Sequence, residues 1–362
     1  MKKIFVFLGV LLLVCGCGKY DDKDLIEDLS KKIDNASAYH MIGTLEIYRN
    51  EEKYTYDVDS SYKKNDLFKV NLVNQNNNHE QIILKNDQGV YVITPSLNKS
   101  FKFQSDWPYN NSQIYLLQPI ITDLNNDNER TFKKLDSGYV LTSKVNYSSE
   151  RDFNVQKIYL DKDKNIIKVE VLDNDDNVKM CLTITDIDFK AKFDNNYFDA
   201  NNYIKQSSQK ENFNNSDKKE EISESKEQQD DKQNASNSEQ ADKQTTDTTI
   251  SKIEDIVYPM YVPIDTQLSS QDVIETSNGE RVILTFTGES AFTVVQETLS
   301  NETAINYIYG DPYLILDTVG SITDYSVSWI SNGVEYSVMS DTMEIDELLT
   351  VAQSISVKAV GK

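Results

Sequence analysis

Between positions 41 and 186 large apolar residues return at every second position, and tight polar clusters cut this rhythm into short runs. Period two is the signature of a strand with one buried and one wet face, so this half of the chain is committed to sheet. Thr44-Leu45-Glu46-Ile47, Tyr54-Thr55-Tyr56-Asp57-Val58 and Leu67-Phe68-Lys69-Val70-Asn71-Leu72 carry it clearly, and further strands are predicted at 81–85, 90–94, 100–103, 139–146, 155–160, 166–172 and 178–186. The runs are joined by hairpin-turn compositions: Asn86-Asp87-Gln88-Gly89, Asp161-Lys162-Asp163-Lys164-Asn165 and Asn174-Asp175-Asp176-Asn177. Short connections force antiparallel neighbours, hence one large meander.

Two helices accompany it. At 22–35, acidic residues open a segment in which Leu25, Ile26, Leu29 and Ile33 share a face. At 112–124, Ser112 is placed to cap a run of Ile114, Leu117, Ile121 and Leu124, with Pro119 expected to kink it or tighten its first turns. The fold class is α+β: an incomplete antiparallel β-barrel, a curved sheet of about ten strands capped by helices, followed by a smaller C-terminal α+β domain. That second domain reads as strands at 279–288, 291–299, 313–317 and 325–340, with a hairpin at Ser331-Asn332-Gly333 and a closing helix at 346–355. Between the two lies a stretch, 206–252, of Asn, Gln, Ser, Asp, Glu and Lys with Phe213 and Ile222 as its chief large apolar residues. It cannot bury enough surface to offset its ordering entropy and is predicted to be a disordered acidic and polar linker, spanning roughly 35–40 Å as a flexible coil. The domain boundaries are therefore 1–17, 18–205, 206–252 and 253–362.

The first seventeen residues assign a compartment. Lys2 and Lys3 precede an apolar core too short to span a bilayer, which needs ~20 residues, and the segment ends Val14-Cys15-Gly16-Cys17. This is the form of a secretory signal closed by a bacterial lipobox. Gly16 at −1 and Val14 at −3 fit the lipobox before Cys17, whereas Cys15 would place bulky Val14 where a small residue is expected. Cys17 is thus the lipid-attachment residue (the diacyl and palmitate anchor), and the mature protein sits on the extracytoplasmic face of the cell membrane. With 59 acidic residues against 37 basic ones the formal charge is −22, so nucleic acid is a poor partner and an anionic surface repels the chain. Beyond the lipobox the one remaining cysteine is Cys181, so no intramolecular disulfide is available to the mature chain.

Chemistry is thin. His40 and His79 stand apart from any metal-ligand spacing or nucleophile, and Cys181 reads as a core residue on a strand. Asp161-x-Asp163-x-Asn165 and Asp173-x-Asp175-x-Asn177 imitate the first ligands of a calcium loop, but Ile166 and Val178 replace the required glycine, and Leu172 and Ile184 the bidentate glutamate. No motif calls for a cofactor or metal, and no catalytic residue is assigned; the sequence argues against an enzyme. Aromatics crowd 91–115, either as sheet core or as a hydrophobic cup. Trp107 and Tyr109 are the ligand- or partner-binding residues this segment offers, at the rim of the cup. The competing reading makes Trp107 a buried plug holding helix to sheet.

The run Gly89-Val90-Tyr91-Val92-Ile93-Thr94-Pro95-Ser96-Leu97-Asn98-Lys99-Ser100-Phe101-Lys102-Phe103-Gln104-Ser105-Asp106-Trp107-Pro108 resembles the signature of the LolA-like lipoproteins of endospore-forming bacteria, the sporulation and germination lipoprotein class. Lys168-Val169-Glu170-Val171-Leu172-Asp173 and Phe189-Lys190-Ala191-Lys192-Phe193-Asp194 are similar to the closing strands of the same family, and Tyr261-Val262-Pro263 with Glu347-Leu348-Leu349 to an uncharacterised domain that follows it. The resemblance implies a half-barrel of a kind known for holding lipoprotein acyl chains. A lipid on Cys17 would keep this chain from diffusing between membranes. The resemblance to germination members therefore implies a tethered, non-catalytic binding module of sporulation or spore germination that positions a cell-wall hydrolase such as an amidase. The alternative is a lipid or acyl-chain carrier.

Overall fold

A computed structural model of the chain describes residues 22–49, 52–147, 149–204, 252–277, 279–299 and 305–355. The signal segment with Cys17, and the linker as far as residue 251, lie outside the described residues. No helix among those described is long and apolar enough to cross a membrane.

Helix α1 (Asp22–Asp34) leads into β1 (Ala38–Arg49), β2 (Glu52–Lys63), β3 (Leu67–Asn74), β4 (Glu80–Asn86), β5 (Gly89–Thr94) and β6 (Lys99–Gln104). Helix α2 (Leu117–Asn126) interrupts, and β7 (Thr131–Leu135), β8 (Gly138–Lys144), β9 (Phe153–Leu160), β10 (Ile166–Asp173) and β11 (Val178–Asp188) follow. The strands pair antiparallel in the order β6-β5-β4-β3-β2-β1-β11-β10-β9-β8-β7, and the sheet does not close on itself. The predicted half-barrel meander is thus the observed one, with β7 added. At the centre, β1 shifts register against β11 between Ile42 and Gly43. A Cβ on Gly43 would lie 2.5 Å from the Thr183 carbonyl oxygen, so only glycine allows the two strands this approach.

The inner face of the sheet is filled. Leu25, Ile26, Leu29 and Ile33 of α1 and Leu117, Ile120, Ile121 and Leu124 of α2 share one core with the inward residues of β1–β3 and β8–β11. Helix α2 departs from its predicted form. Ser112 does not cap it, because the helix starts five residues later and the Tyr39 hydroxyl accepts the Leu117 N–H at 3.2 Å while donating to Gln118 Oε1 at 2.9 Å. Pro119 falls in the first turn, where its missing N–H costs nothing. The outer face is not uniformly wet either. Ala200 with Tyr203 and Ile204 covers Ile82, Leu84, Tyr91 and Ile93 on the outside of β4 and β5, which are buried on both faces.

The C-terminal part forms a second antiparallel sheet. Its strands are β12 (Thr266–Thr276), β13 (Gly279–Gly288), β14 (Phe292–Thr298), β16 (Asp311–Ile315), β17 (Thr318–Ile322), β18 (Ser326–Ser331) and β19 (Val334–Met339), in the order β12-β13-β14-β19-β18-β17-β16. A C-terminal helix (Ile345–Ser354) lays Leu348, Leu349, Val351 and Ala352 on it. The turn at Asn332 (φ 49°) and Gly333 (φ 78°) has the two positive φ angles of a tight hairpin, as its composition foretold. The intervening strand β15 (Ile305–Tyr309) leaves this sheet and pairs in parallel with β6, becoming the twelfth strand of the first sheet. Strand β17 is buried along its whole length, with Val319 in the first core and Ile322 in the second.

Candidate functional site

The loop after β6 builds the site. Ser105 Oγ accepts the Trp107 N–H at 2.9 Å and the Asp106 carbonyl accepts the Tyr109 N–H at 3.1 Å, giving a compact corner with a cis Trp107–Pro108 bond. This corner sends its two aromatics opposite ways. Trp107 points inward and is fully buried, edge-on to Phe68 with ring centroids 6.1 Å apart. Its expected place on the rim is corrected: the indole fills the cup, because the largest apolar side chain of the loop gains most by leaving water. Tyr109 points outward, 53% exposed, and is also edge-on to Phe68 at 6.1 Å. Its hydroxyl donates to Asp66, and the Lys85 ammonium lies 4.8 Å from its ring centre.

Below Tyr109 runs a polar groove of about 550 Å3, bordered by Pro108, Ser112, α2 and the end of β8. Ser112 ties its walls together: its hydroxyl donates to Asp123 Oδ2 at 2.6 Å and accepts the Asn146 N–H at 2.7 Å, and its own N–H reaches the Asn146 carbonyl at 2.8 Å. Burial pushes the Asp123 carboxyl up to about 6, against the lowering effect of the Ser112 hydrogen bond. An apolar slot, lined by Leu45, Ile47, Ile114, Tyr115, Met180 and Leu314, holds only about 40 Å3. Beside it Arg49 pairs with Glu150 and Tyr313 donates to the same carboxylate, so a buried ion pair of the first sheet is completed by β16.

The sporulation protein YdcC of Bacillus subtilis is 31% identical to this chain over 362 residues, covering 98% of this chain and 97% of its own. The chain belongs to the YdcC family of sporulation proteins. The resemblance read in residues 89–108 is borne out by this kinship. No family model matches. Among solved structures, a complex of the CwlD amidase of Clostridioides difficile with the GerS lipoprotein matches with 19% identity and a TM-score of 0.29, covering 48% of this chain and 96% of that one. A LolA superfamily protein of Nitrosomonas europaea matches at 9% identity and a TM-score of 0.28, covering 48% and 96%. The Pseudomonas aeruginosa MucA/MucB complex spans 90% of this chain and 97% of its own at 11% identity and a TM-score of 0.31.

Elsewhere in this member of the YdcC family, the remaining chemistry-bearing residues have local roles. His40 Nε2 meets Asp59 Oδ1 at 3.0 Å on neighbouring strands, and burial lowers the pKa of His79. Cys181 is half-buried on β11 and burial raises its thiol pKa. The Asp161 and Asp173 carboxylates accept backbone N–H groups of their own turns, from Asn165 at 2.8 Å and from Asn177 at 2.8 Å. Both segments are hairpin turns, as their failure at the glycine and glutamate positions required. Sequence reasoning missed Ser112 as a tie and the Arg49–Glu150–Tyr313 contact. The Ser112 partners lie 11 and 34 positions away and Tyr313 lies 264 from Arg49, separations at which no periodicity carries a signal.

Proposed function

We propose that this chain is a lipid-anchored, extracytoplasmic binding module of sporulation that positions a protein partner and carries out no catalysis. Cys17 supplies the anchor, and the partner class implied by the sequence resemblance is a cell-wall amidase. The observation that carries this reading is the filled cup: on a chain matching a sporulation protein along its whole length, α1, α2 and Trp107 occupy the inner face that an acyl chain would need. The 40 Å3 slot falls well below the roughly 300–1,000 Å3 of ordinary ligand pockets, which weighs against the acyl-chain carrier. Tyr109 is the exposed aromatic of the corner and the residue proposed to meet the partner.

The test is to mix the purified chain with purified cell-wall amidases of the same sporulating cells and follow complex formation by light scattering. A stoichiometric complex weakened by Tyr109→Ala is expected. Failure to bind any of them, together with fatty acid found in the protein by mass spectrometry, would overturn the reading in favour of the carrier.

A further inference from the structure

The groove beneath Tyr109 has the size of a ligand site. Its volume of about 550 Å3 lies inside the usual range for small-ligand sites. Two of its walls are tied together before any ligand arrives, because Ser112 joins Asp123 of α2 to the Asn146 backbone, which lowers the ordering that binding must supply.

The charges around it are already engaged. Asp127 accepts the N–H groups of Glu129 and Lys144, each at 2.8 Å, Glu129 pairs with Lys144 at 2.6 Å, and Asp123 accepts from Ser112. A cation would compete with these donors for the same carboxylates, and an anion would meet a chain of formal charge −22. Besides these charges the walls offer neutral groups: the amides of Asn126 and Asn128, the Thr122 hydroxyl, and the rings of Tyr109 and Pro119. Amides and hydroxyls give paired donors and acceptors, and an aromatic face accepts the C–H face of a ring. A ligand with many hydroxyls, no net charge and apolar ring faces satisfies both. We propose that this groove binds a saccharide chain, with one sugar ring on Tyr109 and its hydroxyls on Asn126 and Asn128.

The experiment is calorimetric titration of the full chain in detergent with two probes, the tetramer of N-acetylglucosamine and the tetramer of glucose. Binding of at least one with Kd near ~10⁻⁴ M is expected, and the difference between them tells whether acetamido groups are read. The double variant Asn126→Ala with Asn128→Ala, on exposed positions, should weaken binding about tenfold or more with an unchanged melting temperature, and Tyr109→Ala should do the same. No heat with either tetramer at about 10 mM, or binding indifferent to all three substitutions, overturns the proposal. So does a preference for tetralysine over both sugars, which would assign the groove to its carboxylates. Amidase binding is measured separately, so either proposal can fail while the other stands.

Discussion

The side chain of Gln81 binds the backbone of Val319 as a neighbouring strand would: Oε1 accepts the Val319 N–H at 2.5 Å and Nε2 donates to the Val319 carbonyl at 3.2 Å, across 238 positions. Thr318 Oγ1 adds a third bond to the same Oε1 at 3.2 Å. Both residues are buried, so none of these groups has water as an alternative. Together with β15 on β6 and the Tyr56 hydroxyl on the Leu316 carbonyl at 2.9 Å, this contact joins the C-terminal sheet to the half-barrel.

Gln81→Leu removes the partner of a buried N–H and a buried carbonyl at once. At ~1–3 kcal/mol per stranded group, the expected loss is about 2–6 kcal/mol by urea denaturation. A loss below about 0.5 kcal/mol would mean that water replaces the amide and that the contact carries no stability.

Cleavage in the 206–252 stretch should come first in limited proteolysis, as its composition predicts. The two fragments are expected to co-elute in gel filtration without denaturant, because β15 stays paired with β6 and Gln81 with Val319. Separate elution would show that the junction depends on the covalent link.

Trp107 and Tyr109 are two positions apart and should behave oppositely. Trp107→Ala empties a fully buried site and is expected to cost about 3–5 kcal/mol in a denaturation midpoint. Tyr109→Ala, at an exposed site, should cost less than about 1 kcal/mol and act on binding. Equal destabilisation by both would remove Tyr109 as a binding residue.

Asp123 gives the fold a dependence on pH. Its carboxyl is raised by burial from an ordinary 3.8 to about 6, so between these values the folded chain holds a proton that the unfolded chain has released. Stability from this group is therefore full below pH ~4, falls as pH rises, and is lost above pH ~6, by about 3 kcal/mol. Asp123→Asn keeps an acceptor for Ser112 and should be about 3 kcal/mol more stable than the parent at pH 7.5 and equal to it at pH 4, by urea titration at each pH. Parallel profiles for parent and variant would refute the assignment.

Cys17 should be the modified residue. Intact-mass measurement of the membrane-extracted protein is expected to give cleavage after Gly16 and a diacylglycerol on Cys17. A Cys17→Ala protein still in the membrane fraction would contradict it.

Most strands were legible because each needs only its own alternation and a turn: in the half-barrel β9 and β10 lie within two residues of their predicted bounds, and in the C-terminal sheet β13 falls on its predicted 279–288. Strand β7 was missed because Thr-Phe-Lys-Lys-Leu at a sheet edge buries almost nothing and so leaves no pattern. The start of α2 was misplaced because its cap comes from Tyr39, 78 residues earlier, and not from the nearby Ser112. Of the proposed site, the sequence singled out the 104–111 corner, but which of its two aromatics faces water depended on where Phe68 stands.

By itself, then, the sequence determined the antiparallel meander, its two amphipathic helices and the hairpin at Asn332-Gly333, since each is written in residues close together along the chain. Tertiary structure alone decided that α1, α2 and Trp107 fill the cup, that β15 crosses to β6, and that β17 is buried between two cores. These outcomes depend on which surfaces meet across hundreds of positions. Burial there is set by shape and by the need to satisfy distant backbone groups such as those of Val319, and neither leaves a local period to read.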